Sequence, residues 1–133
     1  MESMILSETD SLLKAANTMH DFYFTKEDVS YDKKNNTFIL KAKEYEWKGK
    51  LLQRKTNIIK GEGTLMLFNI NRCDILENDS QGYNSVGEDC FNLIEVKNDN
   101  CFILKSSFHE IILDMDKLDG RFEYRTSLEE QLG

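Results

Sequence analysis

The chain has 133 residues, 40% of them apolar, and a net charge of −7 from 24 acids against 17 Lys and Arg. That length and composition fit one domain, 1–133, around one core without a disulfide or structural metal, and interspersed charges of both signs exclude a disordered chain. An acidic balance with no basic cluster argues against a phosphate-backbone partner, so no nucleic acid is expected.

The opening MESMILSETD lacks the basic flank and the long apolar run of a signal peptide or membrane span. A cytoplasmic location and no membrane partner are therefore expected. Ser7 with Asp10 three residues later resembles a helix start, and Leu12, Ala16 and Met19 fall at i, i+4 and i+7 with Leu13 beside them. A short amphipathic helix follows, and His20 comes one turn after Ala16, where the chain must leave it.

From Asp21 the period becomes two. FYFTKEDVSYDKKNNTFILKAKEYEW reads as two strands around DKKNN, a turn that a left-handed Asn closes without glycine. Setting Tyr31 opposite Phe38 places Val29 against Leu40 and Glu27 against Ala42. The shift of large residues to Tyr45 and Trp47 indicates a bulge beyond Ala42. LLQRKTNIIK and TLMLFNINRCDIL read as a second hairpin across GEG at 61–63, with Ile58 opposite Met66 and Thr56 opposite Phe68.

ENDSQGYNSVGED, 77–89, is the long irregular segment. DCFNLIEVK and NCFILKSS then form a hairpin across KNDN, with Phe91 and Leu93 on the face of Phe102 and Leu104. HEIILDMD and GRFEYRT are further strands, and SLEEQL suggests a last helical turn. Successive hairpins favour antiparallel pairing. The expected fold is mainly β: an antiparallel β-sandwich or open curved barrel of about seven strands with one short N-terminal helix. With no proline in the chain, its turns rely on Asn, Asp and Gly.

Candidate sites are few. His20–Asp21 and His109–Glu110 are adjacent pairs, and neighbours on a strand face opposite sides, so a metal site needs the fold to bring His20 and His109 together. The simpler reading has His20 bonding backbone at the helix-to-strand corner while Asp21 accepts amide hydrogen bonds there. Nucleophiles for a hydrolase would be Cys73, Cys90, Cys101, Ser80, Ser85, Ser106 or Ser107, and none lies in an elbow motif. The cysteines, odd in number and without CxxC spacing, read as strand residues of apolar character. Asp114 and Asp116 read as a solvated edge, and DMDKLDG lacks the pattern of a calcium loop. Tyr45 and Trp47 belong to an aromatic group, and Tyr83 stands in the polar loop as an anchor for a partner.

The stretch LLKAANTMHDFYFTKEDVSYDKKNNTFILKA resembles the opening of a group of small uncharacterised bacterial β-rich proteins, through His20, Asp21, Tyr31, Asp32, Phe38 and Leu40. Some of these are similar to toxin-immunity proteins, and the resemblance implies an antiparallel β domain with a leading helix, with no established catalytic role for His20 or Asp21. The residues themselves point to a non-catalytic protein-binding domain that meets a basic protein through an acidic surface, without a cofactor, and with homo-oligomerisation left open. The alternative is a small metal- or ligand-binding β-barrel, in one form a hydrolase, using His20 and His109.

Overall fold

The computed structural model describes residues 2–46, 58–77 and 87–126. Its elements are β1 (Glu2–Leu6), α1 (Thr9–Met19), β2 (Tyr23–Phe24), a 3-10 turn (Lys26–Asp28), β3 (Val29–Asp32), β4 (Thr37–Glu46), β5 (Ile58–Leu67), β6 (Ile70–Glu77), β7 (Asp89–Asn98), β8 (Cys101–Ser106), β9 (His109–Met115) and β10 (Gly120–Thr126). The strands form one open antiparallel sheet in the order β1-β10-β5-β4-β2-β7-β8-β9-β6, with β3 also paired to β4. The mainly β, antiparallel expectation holds, but the strands among the described residues number ten, not about seven.

The extra strands have local causes. Residues 2–6 pair with β10, a strand that the first residues alone do not announce. Thr25 breaks the FYF…VSYD run because its backbone N–H donates to Asp28 Oδ2 (2.9 Å), closing the 3-10 turn between β2 and β3. Asn69, with φ 56°, breaks the TLMLFNINRCDIL run between β5 and β6. Asn tolerates that left-handed conformation better than a branched residue does.

Helix α1 follows its apolar stripe: Leu12, Ala15, Ala16 and Met19 are buried. The helix begins one residue later than Ser7 would cap it, and Ser11 serves instead, its hydroxyl donating to Glu8 O (2.6 Å) and accepting from Glu8 N–H (3.3 Å). The β3–β4 hairpin has the expected register, Val29 opposite Leu40 and Tyr31 opposite Phe38, closed by Asn36 at φ 53°. Glu27 lies in the 3-10 turn, so its expected pairing with Ala42 does not form. The bulge beyond Ala42 is present as a register shift between Glu44 and Tyr45.

The GEG hairpin is absent. Residues 58–67 are one strand running straight through Gly61 and Gly63, between β4 and β10. These glycines supply space, not a turn. A Cβ on Gly61 would run into the Tyr124 phenol, and one on Gly63 would come within 3.1 Å of the Phe122 ring. The core face of β5 is therefore Gly61, Gly63, Leu65 and Leu67, all buried, while Met66 and Phe68 are only half-buried. Because strand side chains alternate, placing a turn at 61–63 turned the inferred faces of this strand over. The same thing happens in β7, where a register shift between Phe91 and Leu93 leaves Leu93 49% exposed and buries Ile94 in its place.

One cluster of buried apolar side chains runs from Leu6 and the helix through Phe22, Phe38, Leu65, Phe91 and Phe102 to Leu113 and Phe122. Each such large side chain contributes about 1.5–3 kcal/mol on burial. The sheet curls around this core until β6, its last strand, reaches the β3–β4 hairpin: Ile70 N–H donates to Asn36 O (2.9 Å), and the Tyr31 hydroxyl donates to Ile70 O (3.2 Å). From that junction β3 and β6 separate. The gap beyond it becomes the cleft described below.

Gly120 offers a test of how tightly β1, β10 and β5 are joined. A Cβ there would strike the Met66 backbone carbonyl and the Leu67 side chain. Gly120→Ala is expected to cost about 1–3 kcal/mol, as overpacking does. Urea unfolding measures it, and an unchanged midpoint would show that the close approach is absent.

Candidate functional site

His109 opens β9 and is 4% exposed, Asp89 opens β7 and is 1% exposed, and Ser106 closes β8 and is 9% exposed. The β8–β9 corner at 107–108 folds these strand ends onto each other. Asp89 Oδ2 lies 2.6 Å from His109 Nδ1 and accepts the Ser106 hydroxyl at 2.5 Å. Asp89 Oδ1 accepts the backbone N–H of Cys90 (2.7 Å) and of Phe108 (3.3 Å). The Ser106 oxygen accepts His109 N–H at 3.0 Å. A carboxylate stripped of water is costly unless its lone pairs are filled, and these donors fill them.

The far side of the imidazole faces a cleft of about 560 Å³ lined by Phe24, Lys26, Val29, Ile75, Glu77, His109 and Ile111. Glu77 Oε1 lies 3.3 Å from His109 Nε2. The two residues are opposite each other in the β6–β9 pairing, which fixes their approach. Both Ile75 and Glu77 stand on the edge strand, about half exposed.

The order of groups limits the chemistry. Acyl-transfer triads place the imidazole between nucleophile and carboxylate. Here the carboxylate stands between Ser106 and His109, so the serine hydroxyl is spent on Asp89 and is not presented to the ring. Cys73 and Cys90 do not substitute: burial, with the nearby Asp74, pushes the Cys73 thiol up to about 11, and burial with Asp21 and Asp89 pushes Cys90 up to about 11. A thiol raised that far is a poor nucleophile at neutral pH. All three cysteines are free and half-buried on strands.

His20 answers to a different set of partners. It caps the C-terminus of α1, with Nδ1 2.8 Å from Asn92 O and Nε2 3.5 Å from Asp21 Oδ1. Asp21 takes a left-handed φ of 68°, and its backbone N–H donates to Phe91 O (2.9 Å). The backbone of Asp21, where its carboxylate was expected to act, ties the helix exit to β7. The pair is a structural corner, and its side chains are 59% and 71% exposed. His20 and His109 thus enter separate networks, and among the described residues no group of three or more His, Cys, Asp or Glu is arranged for a metal ion.

Tyr45 packs against Tyr23, ring centroids 5.5 Å apart, and its hydroxyl donates to Glu88 Oε2 (2.5 Å). Burial first, then the Glu88 carboxylate, raises its ionisation above the ordinary tyrosine range. Trp47 and Tyr83 lie outside the described residues, as does the helical turn expected at SLEEQL. Asp114 pairs with Arg72 (3.3 Å) and Asp116 accepts from Asn71 Nδ2 (2.9 Å), in keeping with a solvated strand end.

At the opposite end of β9 from His109 lie two adjoining polar grooves, about 650 and 330 Å³. They share Ser7, Asp116, Lys117 and Leu118, and among the described residues they carry the carboxylates of Glu8, Asp99, Asp116 and Asp119 against the ammonium of Lys117. No helix among the described residues is long and apolar enough to cross a membrane. Comparison with protein-family models, with curated proteins and with solved structures gives no match.

Asp89 and Glu77 escaped the sequence reading. Both stand at the rims of the 77–89 segment, where one acid among many carries no mark of its own, and only the β7–β9 proximity singles out Asp89.

Two outcomes are expected. Asp89→Ala leaves His109, Ser106 and two backbone N–H groups without their buried acceptor, and should destabilise the fold by about 3–5 kcal/mol, the range for breaking a buried charged pair; chemical denaturation reads it, and a loss below about 1 kcal/mol would mean the network carries little. Tyr45 gives a pH dependence. The folded state holds the phenol proton more tightly than the unfolded chain, so its contribution is complete below the ordinary tyrosine value of about 10 and is lost as pH rises beyond it. Tyr45→Phe should flatten the alkaline fall in stability, and identical pH profiles for the two proteins would contradict this.

Proposed function

We propose that this is a non-catalytic protein-binding domain whose partner is basic and docks on the acidic end of the sheet. The observation that carries the reading is the pair of adjoining grooves, where, among the described residues, Glu8, Asp99, Asp116 and Asp119 face solvent around Lys117. Asn71 and Asn69 hold the carboxylates of Asp116 and Asp119 through side-chain amides at 2.9 and 3.3 Å. The acids are thereby oriented by neutral donors, which leaves their charge for a partner. The overall charge of −7 adds a long-range attraction in the same sense.

The Ser–Asp–His order at the other end supports the non-catalytic part, because it withholds the hydroxyl from the ring. The resemblance of the opening segment to proteins akin to immunity proteins gives this binding a concrete form, neutralisation of a basic toxin by surface occlusion. A cytoplasmic setting suits that role and the free cysteines.

Affinity capture from lysate of the source cell, in low and high salt, tests the reading with mass spectrometry of the retained proteins. A stoichiometric basic protein held at low salt and released at high salt is expected, since exposed charge pairs are screened over about 8 Å at physiological ionic strength. The double variant Asp116→Asn, Asp119→Asn should lose most of it. Retention indifferent to salt and to both substitutions would reject the acidic end as the docking surface.

A further inference from the structure

We propose that the outer face of the β7-β8-β9-β6 part of the sheet is a self-association surface, on which a second copy of this chain packs about a two-fold axis running between β8 and β9. The strand registers define this face. Residues directly opposite each other on paired strands project to the same side. Leu93 is opposite Lys105, Lys105 opposite Glu110, and Glu110 opposite Leu76, which makes one row across four strands. The next row is Glu95, Ile103, Ile112 and Asp74. Both rows lie on the side away from the core, since the alternating Leu104 and Ile111 are buried in it.

The face carries apolar groups that a solvated sheet does not need. Leu93 and Leu76 end the first row, each about half exposed, and Ile103 and Ile112 stand at the centre of the second. Regular alternation would send Leu93 inward with Phe91. It points outward only through the register shift between them, and a bulge re-aims a side chain in this way. Apolar surface rimmed by polar residues is the usual mark of a protein contact.

Charge decides what covers it. Lys105 Nζ lies 2.8 Å from Glu95 and 3.6 Å from Glu110, Lys97 Nζ lies 3.3 Å from Glu95, and Arg72 pairs with Asp74 (2.5 Å) and Asp114 (3.3 Å). The acids of this face are thus already matched by bases, unlike those of the grooves, and a basic partner gains little from them. A second copy fits instead. Turned about an axis parallel to the strands and midway between β8 and β9, the first row meets itself in reverse: Leu93 faces the partner's Leu76, and Lys105 faces the partner's Glu110. In the second row Ile103 faces the partner's Ile112. Glu95 and the partner's Asp74 meet at its flanks, each with its own base beside it. Two sheets stack in this way about 10 Å apart with their strands within about 30° of each other. Four strands about 4.8 Å apart, each contributing about six residues of about 3.3 Å, give a footprint of about 19 by 20 Å. That is below the roughly 800 Å² per partner of a standard interface, so the dimer is weak and reversible.

Sedimentation equilibrium of the full chain from about 1 µM to about 1 mM, the span of weak association, tests this. Physiological salt is used, so that repulsion between the two acidic chains is screened beyond about 8 Å. A monomer–dimer equilibrium is expected. Leu93→Lys should weaken it at least about tenfold, the equivalent of one large apolar side chain left unburied. Leu76→Lys decides if Leu93→Lys does not fold. Lys105→Glu and Glu110→Lys should each be monomeric alone, because each sets like charges across the axis. Mixed in equal amounts they should associate, because the mixture restores opposite charges at both positions. The double variant Asp116→Asn, Asp119→Asn should dimerise as the unaltered chain does. A chain that is monomeric throughout, which leaves the face to some other partner, overturns the proposal. So does a dimer undiminished in the leucine variants, a mixture of the two charge reversals that stays monomeric, or a dimer lost with Asp116 and Asp119.

Discussion

A single buried carboxylate organises one end of this fold. Asp89 sits at the first residue of β7 and takes donors from its own strand, from the β8–β9 corner and from the imidazole that opens β9. Consecutive hairpins hold neighbouring strands together through backbone bonds, but nothing in a hairpin ladder specifies how the corner of one folds over the start of another. Asp89 supplies that specification, because moving the corner by one residue would strand a charge without water or donors. The position of His109, and hence the polar floor of the cleft, follows from it.

The cleft also depends on where the sheet stops closing. Ile70 bonds to the β3–β4 hairpin through Asn36 and Tyr31, so β6 and β3 touch at one end and part at the other. The parted end exposes Ile75 and Leu76 on an edge strand, which is unusual company for solvent. Apolar walls, a locked imidazole and a rim carboxylate then meet in one place. At the other end of β9 the chain is polar, with carboxylates held by asparagine amides around two grooves. One strand thus separates a small apolar cleft from an acidic surface.

The places where sequence reasoning went astray share a cause. Glycine is the usual sign of a turn, yet Gly61 and Gly63 lie in mid-strand because the rings of Tyr124 and Phe122 cross them. Those rings come from a strand about sixty residues later, beyond the reach of any local pattern. The break falls instead at Asn69, which signals it only once the neighbouring strand ends at Leu67. Leu93 and Ile94 exchange faces through a bulge that two adjacent apolar residues cannot announce. By contrast, the helix stripe, the left-handed Asn36 and the bulge after Ala42 rest on neighbours close in sequence, and all three were legible.

His20 and His109 show the same division. Each is followed by an acid in the sequence, and nothing local distinguishes them. The sequence by itself determined a mainly antiparallel β chain with a leading amphipathic helix, an acidic balance and the corner at His20, since those follow from periodicity, charge and backbone preference over a few residues. Only the tertiary structure decided that His109 joins Asp89 and Glu77 while His20 joins Asn92, because the partners come from strands 20, 32 and 72 residues distant and are chosen by sheet order and burial.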